Sequence, residues 1–203
     1  MGANNFMSQI FYAFSSTTND GCTLAKQFRE EVGKTWLCTG CGNPRWQKAI
    51  DLIIQEDEPD NTPLNLAAGC IVGIARKDFL FCFGKNDVER HLYLGRLFRE
   101  DGVLLEDWVT FHGRQRIVIR GSKDVSYRQC GDCGRHVYFA MGQQYLCPQP
   151  PKGINIFDVG SGELVLTKEL AERVILNKWR KLACSKLPIF ATPMDGLREN
   201  LEG

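Results

Sequence analysis

Short apolar runs of strand length outnumber helical ones along this 203-residue chain, which predicts an α+β fold with a mixed or antiparallel sheet and a few helices. A repeated cysteine turn refines that expectation. Cys38-Thr39-Gly40-Cys41-Gly42 and Cys130-Gly131-Asp132-Cys133-Gly134 are both CxxCG, with two thiols aimed at one spot and a glycine that permits the tight backbone after them. Together they supply four sulfurs, the ligand set of a closed tetrahedral zinc site. Cys38, Cys41, Cys130 and Cys133 are therefore the expected metal ligands, and the sheet is expected to be pinned by a zinc-ribbon-like four-cysteine site holding a structural Zn2+. A redox dithiol and two unrelated pairs are the competing readings. A thioredoxin-like motif, however, has one CxxC opening a helix and no matching partner pair.

Composition supplies the third observation. With 43% hydrophobic and 24% charged residues, the chain can bury a core, and its length suits a single zinc-binding domain over 1–203, with 148–203 as a C-terminal sub-lobe. A formal net charge of +1 argues against a general polyanion binder. Nine cysteines would suit a secreted disulfide framework, but the count is odd, no apolar signal segment follows Met1, and the chain is long enough to do without staples. No stretch approaches the roughly 20 apolar residues of a membrane helix. The expected location is a reducing cytoplasm, with no membrane partner.

Taken in order, Phe6 to Phe14 is rich in β-favouring aromatics and reads as a first strand. Ser15 to Cys22 is a polar turn, Thr23 to Val32 a short helix, and Trp36 leads into the first cysteine turn, which Asn43-Pro44 ends. Ala49 to Gln55 reads as a strand and Glu56 to Asp60 as a solvated acidic loop. Cys70 to Ile74 is a buried strand, while Phe79 to Phe83 is too short for periodicity to decide. Asp87 to Arg99 predicts a helix with Asp87 as N-cap, stopped by Asp101-Gly102. Gln115 to Gly121 is a strand feeding the second cysteine turn, and His136 to Ala140 a strand leaving it. Beyond the connector at Pro148, Pro150 and Pro151, Ile154 to Val159 and Leu164 to Leu166 are strands. Thr167 then N-caps a helix to about Trp179, and Leu187 to Ala191 is the last strand.

Four thiolates on one zinc leave no open position, so the site is expected to be structural and the chain not an enzyme. His136, three residues after Cys133, is an alternative to one of the sulfurs, and the four-cysteine set is preferred. His91 sits on the predicted helix as a packed or exposed residue, and His112 lacks the partners of a metal or nucleophile signature. Cys70 and Cys82 read as small buried hydrophobes. Cys22, Cys147 and Cys184 also lack a neighbouring His with Asn or Asp. The chain carries no GxSxG, HExxH, P-loop or Rossmann glycine pattern. Arg114, Arg116, Arg120, Lys123, Arg128 and Arg135 form a basic cluster around the second turn, with Tyr127 and Tyr138 nearby. Zinc ribbons bind nucleic acid through such surfaces, but the same arginines suit the solvated face of a strand, and that reading is preferred.

Taken together, the motifs resemble the double-CXXCG motif family, a myxobacterial-type paralogous family of bacterial proteins. The matching pieces are Phe11-Tyr12, Trp36 before the first cysteine turn, Asp51-Leu52, Leu97 to Gly102, the second turn with Arg135, Ile156 to Val159, and Thr167 to Val174. The family often has proline after the first cysteine of each turn, where this chain has Thr39 and Gly131. Its terminal glycine-aromatic strand is met loosely by Pro188-Ile189-Phe190. The resemblance implies an immunity protein that binds and neutralises a cognate toxin of a contact-dependent or secreted system, with zinc holding the scaffold and no catalytic residue. The alternative is a zinc-ribbon nucleic-acid-binding or regulatory protein.

Overall fold

Successive side chains of a strand point to opposite faces, and that period of two sends neighbouring buried residues such as Leu164 and Val165 into different layers. The computed structural model describes residues 11–17, 22–35, 38–40, 48–59, 62–68, 72–114, 118–121, 127–132, 136–138, 144–147, 153–158 and 163–187. In chain order these hold β1 (Phe11–Ser16), β2 (Cys22–Thr23), α1 (Lys26–Thr35), β3 (Leu52–Ile54), β4 (Leu64–Ala68) and β5 (Gly73–Arg76). There follow α2 (Lys77–Phe81), α3 (Lys85–His91), β6 (Leu92–Arg99), β7 (Leu104–Gly113), β8 (Val118–Gly121), β9 (Tyr127–Gln129) and β10 (His136–Tyr138). The last elements are β11 (Gln144–Cys147), β12 (Ile156–Asp158), β13 (Leu164–Thr167), α4 (Lys168–Leu176) and β14 (Leu182–Leu187).

The architecture is α+β, with mixed and antiparallel sheets and a few helices. One sheet has the order β2-β4-β5-β7-β6-β3, and its outer pairs β2–β4 and β3–β6 are parallel around an antiparallel middle. The second, β12-β13-β1-β14, is antiparallel throughout. The pairs β9–β10 and β8–β11 form separate two-stranded antiparallel sheets.

The main core lies between the two larger sheets and under the helices. Phe14, Ile156, Leu164 and Leu166 from the four-stranded sheet meet Leu64, Ala75, Val109 and Phe111 from the six-stranded one. Phe79, Leu80, Phe83, Val88, Leu170, Ala171 and Val174 close it from the helical side. The alternate residues point the other way. Ile74 and Trp108 join Leu52, Ile54, Leu97 and Phe28 of α1 behind the six-stranded sheet, while Phe11, Phe157 and Val165 form a third cluster outside the four-stranded one. Each such buried large side chain stabilises by about 1.5–3 kcal/mol relative to exposure.

Several sequence expectations change. The predicted helix over Asp87 to Arg99 ends at His91, and Leu92–Arg99 continues as β6 against β7. Gly95 shows why. A side chain there would strike the Ile50 carbonyl and the Thr110 hydroxyl, so the segment is a central strand with backbone pressed against it, and helix-like spacing of its leucines is incidental. The N-cap is Gly84, with Asp87 in the first turn. The ambiguous run Phe79 to Phe83 is helical through Phe81, with Phe79, Leu80 and Phe83 buried on one side. β2, β4, β7, β9 and β11 have no counterpart among the expected strands. β14 precedes the predicted Leu187 to Ala191 strand, of which all but Leu187 lies outside the described residues. Thr167 does occupy the N-cap of α4, although its side chain makes no capping bond. Of the strand expected over Cys70 to Ile74, only Val72 to Ile74 is described, and β5 runs from Gly73 to Arg76.

The acidic loop is also more than solvated chain. Both Glu56 carboxylate oxygens accept the Thr23 amide, at 2.8 and 2.9 Å, and Glu58 accepts the Trp108 indole N–H at 3.2 Å. The loop is thereby fastened across the back of the six-stranded sheet.

Candidate metal centre

α1 ends at Thr35, and the chain then places Cys38 inside while Thr39 and Gly40 turn at the surface. Far along the sequence, β9 delivers Cys130, which is also buried, and Gly131-Asp132 turns back toward β10. The antiparallel register Gln129↔His136 makes this second cysteine turn the tip of the β9–β10 pair. A hairpin tip projects its residues away from the strands, and so it can reach a turn belonging to a different part of the fold.

The two turns meet. Cys38 Sγ and Cys130 Sγ lie 3.5 Å apart, from positions 92 residues apart in sequence. A disulfide would bring the sulfurs to about 2.05 Å. Two thiolates at about 2.3 Å from one tetrahedral ion would be separated by roughly 3.8 Å. The observed spacing is non-bonded and close to that of two ligands sharing an ion, in a place where both cysteines are shielded from water. Cys41 and Cys133, the other two expected ligands, lie outside the described residues. Among the described residues no group of three or more His, Cys, Asp or Glu side chains converges on a metal position. The backbone of His136 lies in β10, and its side chain is not among those described.

Thr39, Gly40 and Asp132 complete the junction. Thr39 Oγ1 donates to Asp132 Oδ2 at 2.6 Å, bridging the two turns on their exposed side. Gly40 stands where a methyl group would be 2.8 Å from Cys130 Sγ and 2.9 Å from Asp132 Oδ2. The glycine inside the first CxxC is therefore required by the close approach of the second turn. The signal present in the sequence is the complementary pair, a hydroxyl donor inside CTGC and a carboxylate acceptor inside CGDC.

The remaining candidates fall elsewhere. His91 is buried at the end of α3, with Nε2 4.0 Å from Asp87 Oδ1, and burial pushes its pKa below the ordinary histidine value. His112 is buried on β7, hydrogen-bonded to the Lys48 carbonyl and packed against Tyr93 with ring centroids 5.0 Å apart. Cys22 is buried behind the six-stranded sheet. Cys82 is half-buried and donates to the Asp78 carbonyl, and burial pushes its thiol up, the opposite of an activated nucleophile. Cys184 is exposed on β14. Cys70 lies outside the described residues, as does the side chain of Cys147.

Of the basic cluster, Arg114 is exposed and lies over Tyr93. Its guanidinium sits 4.0 Å from the centre of the Tyr93 ring and its Nε donates to the Glu89 carbonyl. Arg116, Lys123 and Arg135 lie outside the described residues, as do the side chains of Arg120 and Arg128. Among the described residues no helix is long and apolar enough to cross a membrane. In comparisons with known proteins, no family model matches the chain and no curated protein matches it significantly.

Proposed function

We propose that this chain is a cytoplasmic immunity protein, which neutralises a cognate bacterial toxin by occupying its surface, on a scaffold closed by one structural zinc at Cys38, Cys41, Cys130 and Cys133. The observation that carries the metal part is the convergence of the buried Cys38 and Cys130 sulfurs from two distant CxxCG turns. A bound zinc would supply a rigid cross-link between the first cysteine turn and the β9–β10 tip, and with four sulfurs it would offer no vacancy for substrate. The immunity part rests on the order of motifs along the chain and on a near-neutral charge that suits a protein partner better than a polyanion.

Two measurements test the proposal. Elemental analysis of the purified protein is expected to find one zinc per chain, lost in Cys130→Ser; a metal-free wild type overturns the metal part. Co-expression with the toxin encoded beside the gene is expected to protect cells stoichiometrically, since silencing a lethal partner takes a Kd of about nanomolar, roughly −12 kcal/mol. Cell death despite expression, or protection by trace amounts, overturns the immunity part.

A further inference from the structure

We propose that Thr39 and Asp132 form a latch that holds the two cysteine turns together and slows loss of the metal, an inference that rests on the four-cysteine zinc reading. Two CxxC turns separated by some ninety residues of folded chain have no covalent reason to stay opposed. Without a cation between them, their thiolates repel. The structure supplies a direct polar bond across the junction, from Thr39 Oγ1 to Asp132 Oδ2 at 2.6 Å, a charge-assisted length. Each partner lies inside a CxxC: Thr39 directly follows Cys38, and Asp132 directly precedes Cys133. The bond therefore fixes the relative placement of both turns and not merely one side chain.

The bond also governs where the Asp132 charge goes. A carboxylate in the middle of a CxxC turn is itself a competent zinc ligand, and beside four thiolates it adds unfavourable negative charge. Donation from Thr39 holds that carboxylate on the exposed side of the junction, against Gly40, where only a residue without a side chain leaves room for it. Thr39 and Asp132 are thus positioning residues, and sulfur remains the ligand.

Outer partners of this kind typically change metal affinity by about 10–100-fold. The test is the rate at which the full-length, zinc-loaded protein gives up zinc to an excess of a chromogenic chelator, followed by absorbance. Thr39→Val and Asp132→Ala are each expected to speed release about tenfold. Thr39→Ser, which keeps the hydroxyl, is expected to restore the wild-type rate. The double variant is expected to release no faster than either single one, because the two residues share one bond. Cobalt substitution provides a readout independent of rate: the thiolate charge-transfer and ligand-field bands of wild type and Thr39→Val should coincide if sulfur remains the ligand set. Release from Thr39→Val at the wild-type rate, or effects of the single variants that simply add, overturns the latch while leaving the zinc site standing. A wild-type protein that carries no zinc overturns the metal reading itself and the latch with it. Both residues are exposed, so circular dichroism of the variants should match the wild type. A variant that unfolds is replaced by Asp132→Asn, which keeps an acceptor and is expected to release at an intermediate rate, with a wild-type rate again counting against the latch.

Discussion

Around β5 and β7 the chain buries Ile74, Ala75, Trp108 and Phe111 almost completely. Around the cysteine turns, Cys38 and Cys130 are buried while Thr39, Gly40, Gly131 and Asp132 stay exposed. In the first region each large side chain packs within an apolar cluster, and stability is spread over buried area. In the second, a sulfur pair and a hydrogen bond join the turns among the described residues. Two-stranded pairs such as β9–β10 are marginal by themselves in water, so a cross-link between sulfurs is the kind of constraint this corner needs and the larger sheets do not. One chain thus holds its larger sheets by distributed burial and brings two distant turns together at a few specific atoms.

Damage to each region should respond differently to metal. Phe111→Ala is expected to cost about 3–5 kcal/mol, since Phe111 is fully buried in the main core. Urea unfolding should show that loss equally with and without chelator. Cys130→Ser is expected to cost on the order of 3 kcal/mol, and chelator should lower the stability of wild type but not of this variant. An equal chelator response in wild type and Cys130→Ser would show that no metal bridges the turns.

Gly40→Ala probes the same corner with a single methyl. It would press on the Cys130 sulfur and on Asp132, forcing the turns apart at a cost of about 1–3 kcal/mol. Gly95→Ala serves as its counterpart in the six-stranded sheet, where the obstruction is the Ile50 backbone. Both should lower the urea midpoint, but only Gly40→Ala should also lower zinc content.

The smallest expected effect is a pH dependence within the main core's helical layer. Burial pushes the pKa of His91 below its ordinary value, opposed by Asp87 and reinforced by Arg90. The unfolded chain therefore binds more protons than the folded one as pH falls below about 6.5. The contribution of His91 to stability is complete above that pH and is lost progressively on acidification toward the lower folded value. Melting temperatures taken between about pH 7.5 and 5.5, a range that brackets the ordinary histidine pKa, should fall for wild type, and fall less for His91→Gln. A wild-type profile that is flat over this range, or identical in the variant, contradicts the assignment.

Much of this is legible from local chemistry. Phe14, Ile156 and Leu164 to Leu166 read as strand residues because alternation and β-branched or aromatic content are properties of the run itself. The α4 segment reads as a helix because its apolar spacing and Thr167 boundary are local too. The CxxCG repeats identify four sulfurs by spacing alone, and that is enough to make Cys38 and Cys130 partners. Other features are not legible, each for a non-local reason. β6 looks helical because Leu92, Leu94, Leu97 and Phe98 fit either period. Only pairing with β7 and the approach of Ile50 to Gly95 select the strand. Glu56 and Glu58 look solvated because nothing nearby in sequence shows that Thr23 and Trp108 present donors to them.

By itself, then, the sequence determined the composition of the layers, the α+β class and the chemistry of the candidate ligands, because these depend on residue type and short spacing. Tertiary structure alone decided which strand lies beside which. It also decided that the Cys38 and Cys130 sulfurs come within 3.5 Å and that Thr39 meets Asp132 across them. Such meetings join residues more than ninety positions apart, and no local preference encodes the path between them; it follows from the apolar layers that the whole chain must bury at once.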